Sequence, residues 1–324
     1  MNPLYYSLGS FHLRLETQER AHSKIFEELF RVWRQEPRAE NQLAAIVRVC
    51  ESLKPFRVKS KRAEPIRHLR SEQKTIIRTD SVYGEFDLDR KPFLVQITIR
   101  PEQPFYVDYP HYLLVVLNKF LLEAQRLHVH AAAVSHQSKT FLFIGDKGSG
   151  KTTLSLAFGQ AGATILSEDH VMIHRTDSAG YLVSGCDGYM RLTREAETHF
   201  FPEGVKAPVR DFAGTPKKEL EVSRYFASLP HVDFQISRIF FVQRRDELNV
   251  TRLSTVEAAA QMLGTMRDRH RFTDDNDIWH FYEYLEGLFQ QSPTYRLTLP
   301  NTLDHLPELI QTIAWIDEER PLAR

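Results

Sequence analysis

Cysteine is nearly missing from this chain of 324 residues. Cys50 and Cys186 are the whole supply, far apart and without the close spacing of a metal-ligand set. That excludes a disulfide-stapled secreted scaffold and a cysteine–zinc module, and makes a reducing, cytoplasmic setting the expectation. An excess of either charge is missing too, since Lys+Arg and Asp+Glu each number 42. With no global field, neither nucleic acid nor an anionic membrane is an expected partner. Long apolar runs are absent: the longest strong one, Tyr112–Leu117, is far too short to span a bilayer. The first residues, Met1–Tyr6, lack a basic segment followed by an apolar one, so no export signal is expected. Internal repeats, low-complexity tracts and heptad runs are also missing. The densest basic stretch, Arg57–Arg62 with Arg67 and Arg70, is either a solvated loop or a binding patch. What remains is an ordinary globular composition, 42% hydrophobic and 26% charged, with length for one large or two medium domains.

Residues 145–152, Gly-Asp-Lys-Gly-Ser-Gly-Lys-Thr, form a complete G-x-x-x-x-G-K-[ST] phosphate-binding pattern. An apolar run, Thr140–Ile144, precedes it and a helical pattern, Thr153–Phe158, follows. The chemistry needs that context: a strand to aim the loop, and a helix whose N-terminus faces an anion. Gly145, Gly148 and Gly150 let the backbone curl so that its N–H groups point inward. Asp146, Lys147 and Ser149 complete the loop, and Thr153 continues it into the helix. Lys151 is expected to reach the β- and γ-phosphates, and the Thr152 hydroxyl to ligate Mg²⁺. The alternative is a glycine-rich turn with no ligand. A nucleoside triphosphate and Mg²⁺ are thus the expected cofactors, and no guanine-reading N-K-x-D segment occurs.

Residues 1–109 read as a smaller α+β domain, a substrate-recruiting or cover module, and 110–324 as the nucleotide-binding domain. In the first, 11–15 alternates as a half-buried strand. Ile25, Phe26, Leu29, Phe30 and Trp33 recur at helical spacing, and Leu43, Ile46, Val47 and Cys50 suggest a second helix. The charged stretch 54–73 reads as a loop, and 85–88 and 93–99 as strands. Beyond a junction at 104–110, a helix is expected over 111–126. Strands follow at 128–134, 140–144, 163–167, 171–175, 236–242 and 294–299. Helices are expected at 152–160, 255–266, 277–290 and 302–315. The whole is α/β with a mixed sheet.

Two acids, Glu168 and Asp169, close the strand after the loop, 17 and 18 residues beyond Lys151. Carboxylates at a strand's carboxyl end lie where open α/β sheets bind ligands. There they hold Mg²⁺ or accept a proton from an attacking hydroxyl; a solvated turn is the plainer alternative. Upstream, His128 and His130 fall on one face of an expected strand, either packed and hydrogen-bonded or catalytic. No third ligand completes a metal set around them.

From Leu127 to Met190 the sequence resembles the catalytic core of the HPr kinase/phosphorylase family. His130 stands fifteen residues before Gly145, and Glu168-Asp169 occupies the place of that family's Asp-Asp pair. The resemblance implies a core of the HPr kinase/phosphoenolpyruvate carboxykinase type and a functional His130. Two departures matter. The first acid is Glu, which shifts weight onto Asp169, and the family's later glycine-rich segment, tied to dephosphorylation, is missing. A carboxykinase is disfavoured because its additional metal and carboxylate motifs are not visible.

The expected function is transfer of the γ-phosphoryl group of ATP to a hydroxyl, on Ser or Thr of a peptide or protein. An amino acid or sugar acceptor, or a slow nucleotide-binding regulatory module, is the alternative. Lys151, His130, Glu168 and Asp169 are the expected catalytic residues, and Thr152 with Asp169 the metal ligands. Either acid is the candidate proton acceptor, with His130 orienting that carboxylate or the γ-phosphate. Arg191, Lys217 and Lys218 are either surface charges or phosphate contacts. A homo-oligomer is left open: the relatives often assemble, but the N-terminal half of this chain departs from theirs.

Overall fold

The computed structural model describes residues 2–8, 11–17, 27, 34–37, 39, 43, 45–51, 67–71, 74–78, 82–87, 92–99, 121–122, 124–212, 215–265, 275–302 and 306–316. Contacts divide the chain into two units, Met1–Leu127 with Asp268–Tyr282, and His128–Arg267 with Glu283–Arg324. The junction expected at 109 lies outside the described residues.

The first unit is built on a mixed eight-stranded sheet. Its strands are β1 (Leu4–Leu8), β2 (Phe11–Thr17), β3 (Arg34–Gln35), β4 (Ala45–Glu51), β5 (Arg67–Ser71), β6 (Lys74–Arg78), β7 (Val82–Asp87) and β8 (Phe93–Ile99), in the order β3-β1-β2-β4-β8-β7-β6-β5. Alternation shows which face is inward: Phe11, Leu13 and Leu15 are buried on β2, as are Phe93, Val95 and Ile97 on β8. The helix expected from Leu43, Ile46, Val47 and Cys50 is instead β4, paired in parallel with β2 and β8. A central strand covered on both faces reads as a continuous apolar run, and β-branched Ile46, Val47 and Val49 favour it. The loop expected over 54–73 contains β5, the outermost strand of the sheet. The helix expected at 25–33 lies outside the described residues, save Glu27, which is helical. Most of that expected at 111–126 lies outside them too.

The second unit holds a six-stranded sheet. Its members are β10 (Ala131–His136), β11 (Lys139–Ile144), β12 (Thr164–Ser167), β19 (Arg238–Arg244), β20 (Asn249–Arg252) and β21 (Thr294–Leu299). The order is β12-β10-β11-β19-β21-β20. β11 runs parallel to β19, and β19 to β21, while β10 is antiparallel to both β11 and β12. Consequently β11, β12, β19 and β21 all point one way, and their carboxyl ends share an edge with the start of β10. The β10–β11 hairpin turns through Gln137 and Ser138, both at positive φ, the geometry of a two-residue turn that matches strand twist.

Helix α1 (Lys151–Gln160) packs on this sheet, burying Leu154, Leu156, Ala157 and Phe158 against Phe141 and Phe143. The small residues Ala132 and Ala133 on β10, both inaccessible to solvent, leave room for neighbours on both faces. Helix α5 (Leu306–Trp315) joins the same core through Leu309, Ile310 and Ile313. Lys139 Nζ donates to Ala314 O at 3.0 Å, and Arg238 donates to Ile316 O, so two cations meet the negative end of that helix.

Beside the main sheet lie two smaller ones. One joins β9 (Arg126–Val129), β13 (Val171–Thr176), β14 (Gly180–Gly185) and β18 (Phe234–Gln235) in the order β18-β14-β13-β9. The other joins β15 (Tyr189–Leu192), β16 (Val209–Phe212) and β17 (Thr215–Glu221) in the order β15-β17-β16. The remaining helices are α2 (Arg194–Phe200), α3 (Thr255–Thr265) and α4 (Asp275–Gln291). Thr193 opens α2, its hydroxyl accepting from the N–H of Ala196. Among the described residues no helix is long and apolar enough to cross a membrane. The expected α/β class is present at that level: a mixed α/β chain with several mixed sheets.

Candidate functional site

The Gly145–Thr152 loop leaves β11 and enters α1 directly. Gly145 lies so near β19 that a Cβ there would sit 2.4 Å from Val242 O. Gly150 precedes the helix at φ +108°, in the left-handed region that other residues avoid. Helix α1 has no side-chain cap and no acid in its first turn, so its N-terminal field is not neutralised by the helix's own side chains. Lys151 Nζ donates to Gly145 O at 2.7 Å and to Asp146 O at 3.1 Å. Burial lowers the pKa of its ammonium below the ordinary lysine range, against the charges of Asp169, Glu168 and Asp146. Asp146, Lys147 and Gly148 are exposed, Ser149 is buried, and Thr152 and Thr153 are half-buried.

The topology carries the two acids to this edge at the end of β12. Glu168 is buried, and its Oε1 accepts a hydrogen bond from the Thr152 hydroxyl. Burial, and then the Asp169 charge, push its carboxyl up; the Thr152 bond and the charges of Lys151 and Lys217 pull the other way. Asp169 is the hub. Its Oδ1 lies 2.8 Å from His130 Nδ1, and its Oδ2 lies 2.5 Å from the Arg191 guanidinium and 3.7 Å from His170 Nε2. Burial opposes its ionisation, but the His130 hydrogen bond and the charges of His170, His130 and Arg191 outweigh it. The carboxyl is held well below the usual range. His170 is itself pushed down to about 4, by burial first. At neutral pH it is uncharged, which leaves His130 and Arg191 as the partners that matter.

The expectation that His128 and His130 share one strand face is corrected by the structure. The strand breaks between them, with His128 on β9 and His130 in the bend before β10, and the two strands belong to different sheets. His128 is buried and stacks on His170 with ring centres 5.2 Å apart. The His130 side chain is 45% exposed. Ionised Asp169 can only accept, so Nδ1 of His130 carries the proton between them, and in the neutral ring Nε2 is the acceptor.

Of the three basic residues left open by sequence, Arg191 belongs to the site. Lys218 is structural, donating to Glu197 Oε1 at 2.6 Å and to Val205 O at 3.1 Å. Its neighbour Lys217, alternating to the other face of β17, makes its charge felt at Lys151 and Glu168. Sequence reasoning missed His170 and Asp187. Asp187 is 3% exposed, with Ser167 Oγ 3.4 Å from its Oδ1. Burial, then the charges of Asp169 and Glu168, push its carboxyl up to about 8. No linear spacing ties Arg191 or Asp187 to the loop, because Arg191 lies on β15 and Asp187 follows β14, strands of the smaller sheets.

No family model matches the chain, and no curated protein matches it. Among solved structures it is similar to one described as the Hpr(Ser) kinase/phosphatase from Coxiella burnetii. The identity is 12% and the TM-score 0.34, over 58% of this chain and 88% of that one. A likeness that distant carries no weight for activity.

Proposed function

We propose that the chain is an ATP-dependent phosphotransferase that moves a γ-phosphoryl group to a hydroxyl, carried by Ser or Thr of a peptide or protein. One observation carries this. The loop with Lys151, the Thr152–Glu168 contact and the His130–Asp169–Arg191 cluster meet at one edge of the sheet. Phosphoryl transfer asks mainly for positioned charge and a proton acceptor, and both kinds of group are there. Loop N–H groups and Lys151 would hold the phosphates. Sequence paired Thr152 with Asp169 as metal ligands, but both Asp169 oxygens are engaged by His130 and Arg191. Thr152 and Glu168 are the better oxygen donors for Mg²⁺, which when bound would offset phosphate charge. Among the described residues no cluster of three or more His, Cys, Asp or Glu is arranged for a metal. Mg²⁺ is commonly held by one or two protein oxygens together with substrate phosphates.

The acceptor hydroxyl would give its proton to His130 Nε2 as its oxygen bonds to the γ-phosphorus and the bond to the β-phosphate oxygen breaks. Asp169 orients the ring and stabilises its charged form, as carboxylates do for catalytic histidines. The exposure of His130 suits an acceptor presented on a larger chain. The test is single-turnover incubation with γ-labelled ATP and candidate acceptors. Asp169→Asn should slow label transfer by about 10²–10⁴, and Lys151→Ala at least as much. Full activity in purified Lys151→Ala would sink the proposal.

A further inference from the structure

A second concavity lies across the loop from the acid cluster. It measures about 270 Å³, sits between the Gly145–Ser149 backbone, the end of β19 and helix α3, and is lined among others by Ile144, Ser149, Phe241, Arg244, Gln261 and Thr265. Two polar atoms in its wall are buried with no hydrogen-bond partner: Ser149 Oγ and Gln261 Oε1. Buried polar groups are nearly always paired, and those that are not call for an explanation. The volume falls just below the roughly 300–1,000 Å³ of sites for drug-sized molecules, room for one flat ring system rather than a whole nucleotide. The Arg244 guanidinium lies beside Gly150 and donates to Pro300 O, which fixes its plane at the rim.

Direction in the sheet decides what this space is for. The acids follow β12, two strands from β11 on one side, roughly 10 Å away. The concavity opens toward β19, on the other side. A nucleotide whose γ-phosphate faces Glu168 and Asp169 therefore sends its far end toward Gln261. We infer that this concavity is the base subsite, taking a purine that bears an exocyclic amine. The amine donates to Gln261 Oε1, a ring nitrogen accepts from the Ser149 hydroxyl, and Arg244 lies along the ring's edge. This rests on the phosphate-loop reading above.

Calorimetric titration with Mg²⁺ salts of tripolyphosphate, ATP, GTP and ITP tests it, since ITP lacks the exocyclic amine. The wild-type chain should bind ATP or GTP at least tenfold more tightly than ITP and tripolyphosphate, and the ATP and GTP arms decide which amino-purine fits. In Gln261→Leu the preference over ITP should vanish while tripolyphosphate affinity stays unchanged. That pattern is not produced by a merely structural role. Tripolyphosphate binding with no gain for any base overturns the base subsite alone. Absence of binding by every probe overturns the phosphate-loop reading, and this one with it.

Discussion

Asp187→Asn should remove a pH-dependent weakness from the fold. The Asp187 carboxyl is 3% exposed and accepts from the backbone N–H of Tyr189. Its buried surroundings and the nearby Asp169 and Glu168 charges push it from the ordinary 3.8 up to about 8. Between those values the unfolded chain has released the proton and the folded chain still holds it. Folded binds more protons than unfolded, so stability falls as pH rises through that window. Each pH unit is worth at most about 1.4 kcal/mol, or about 4 kcal/mol between pH 5 and pH 8. Local relaxation and water entry return part of that, leaving an expected loss of at least about 2 kcal/mol. Asn is neutral in both states and carries no such slope, while its carbonyl still accepts from Tyr189. His170, pushed down to about 4 by burial, works in the opposite sense: its contribution is lost as pH falls from about 6.5. It is common to both proteins and cancels in their difference. Urea unfolding of wild type and variant at pH 5, 6.5 and 8 reads the difference directly. The variant's advantage should grow by at least about 2 kcal/mol across the series. A stability difference constant to about 0.5 kcal/mol would refute the reasoning.

Two further outcomes follow from packing. Phe158 is inaccessible to solvent and its ring meets those of His136, Phe141 and Phe143, so Phe158→Ala should cost about 3–5 kcal/mol in denaturant unfolding; a loss under about 1 kcal/mol would mean the core is not packed as described. Gly145→Ala would press a methyl group onto Val242 O at 2.4 Å and Ser149 Oγ at 2.6 Å, and a backbone oxygen cannot swing aside. It should lower stability by about 1–3 kcal/mol and weaken tripolyphosphate binding; an unchanged melting temperature would contradict the close approach.

The loop and its flanking elements were legible because their signals are local: a fixed motif, an apolar strand and a helical pattern within twenty residues. Strands β11, β12, β13 and β21 and helices α1 and α3 fall close to their expected bounds for the same reason. β4 was misread because a strand buried on both faces has no alternation, and four apolar residues then fit helical spacing equally well. The distance of the two acids from Lys151 was visible in the sequence, but their contacts were not. Which carboxylate meets Thr152 and which meets His130 depends on how the chain turns after β12. Arg191 reaches Asp169 from β15, a strand of another sheet, and Gln261, on α3, lines the same concavity as the loop. Both are tertiary juxtapositions that no spacing encodes.

The β10–β11 hairpin is also a ruler. Ala131 pairs with Ile144 and His136 with Lys139, across a turn at Gln137 and Ser138. One residue beyond that first pair, on either strand, stand His130 and Gly145. The fifteen-residue interval between them is thus the contour length of a closed hairpin, and its residues are free to change so long as their number is not. A single deletion would turn one strand's side chains over and put His130 out of step with Gly145. The exception is two residues added to each strand, which would lengthen the arm and keep both the pairing and the inward faces.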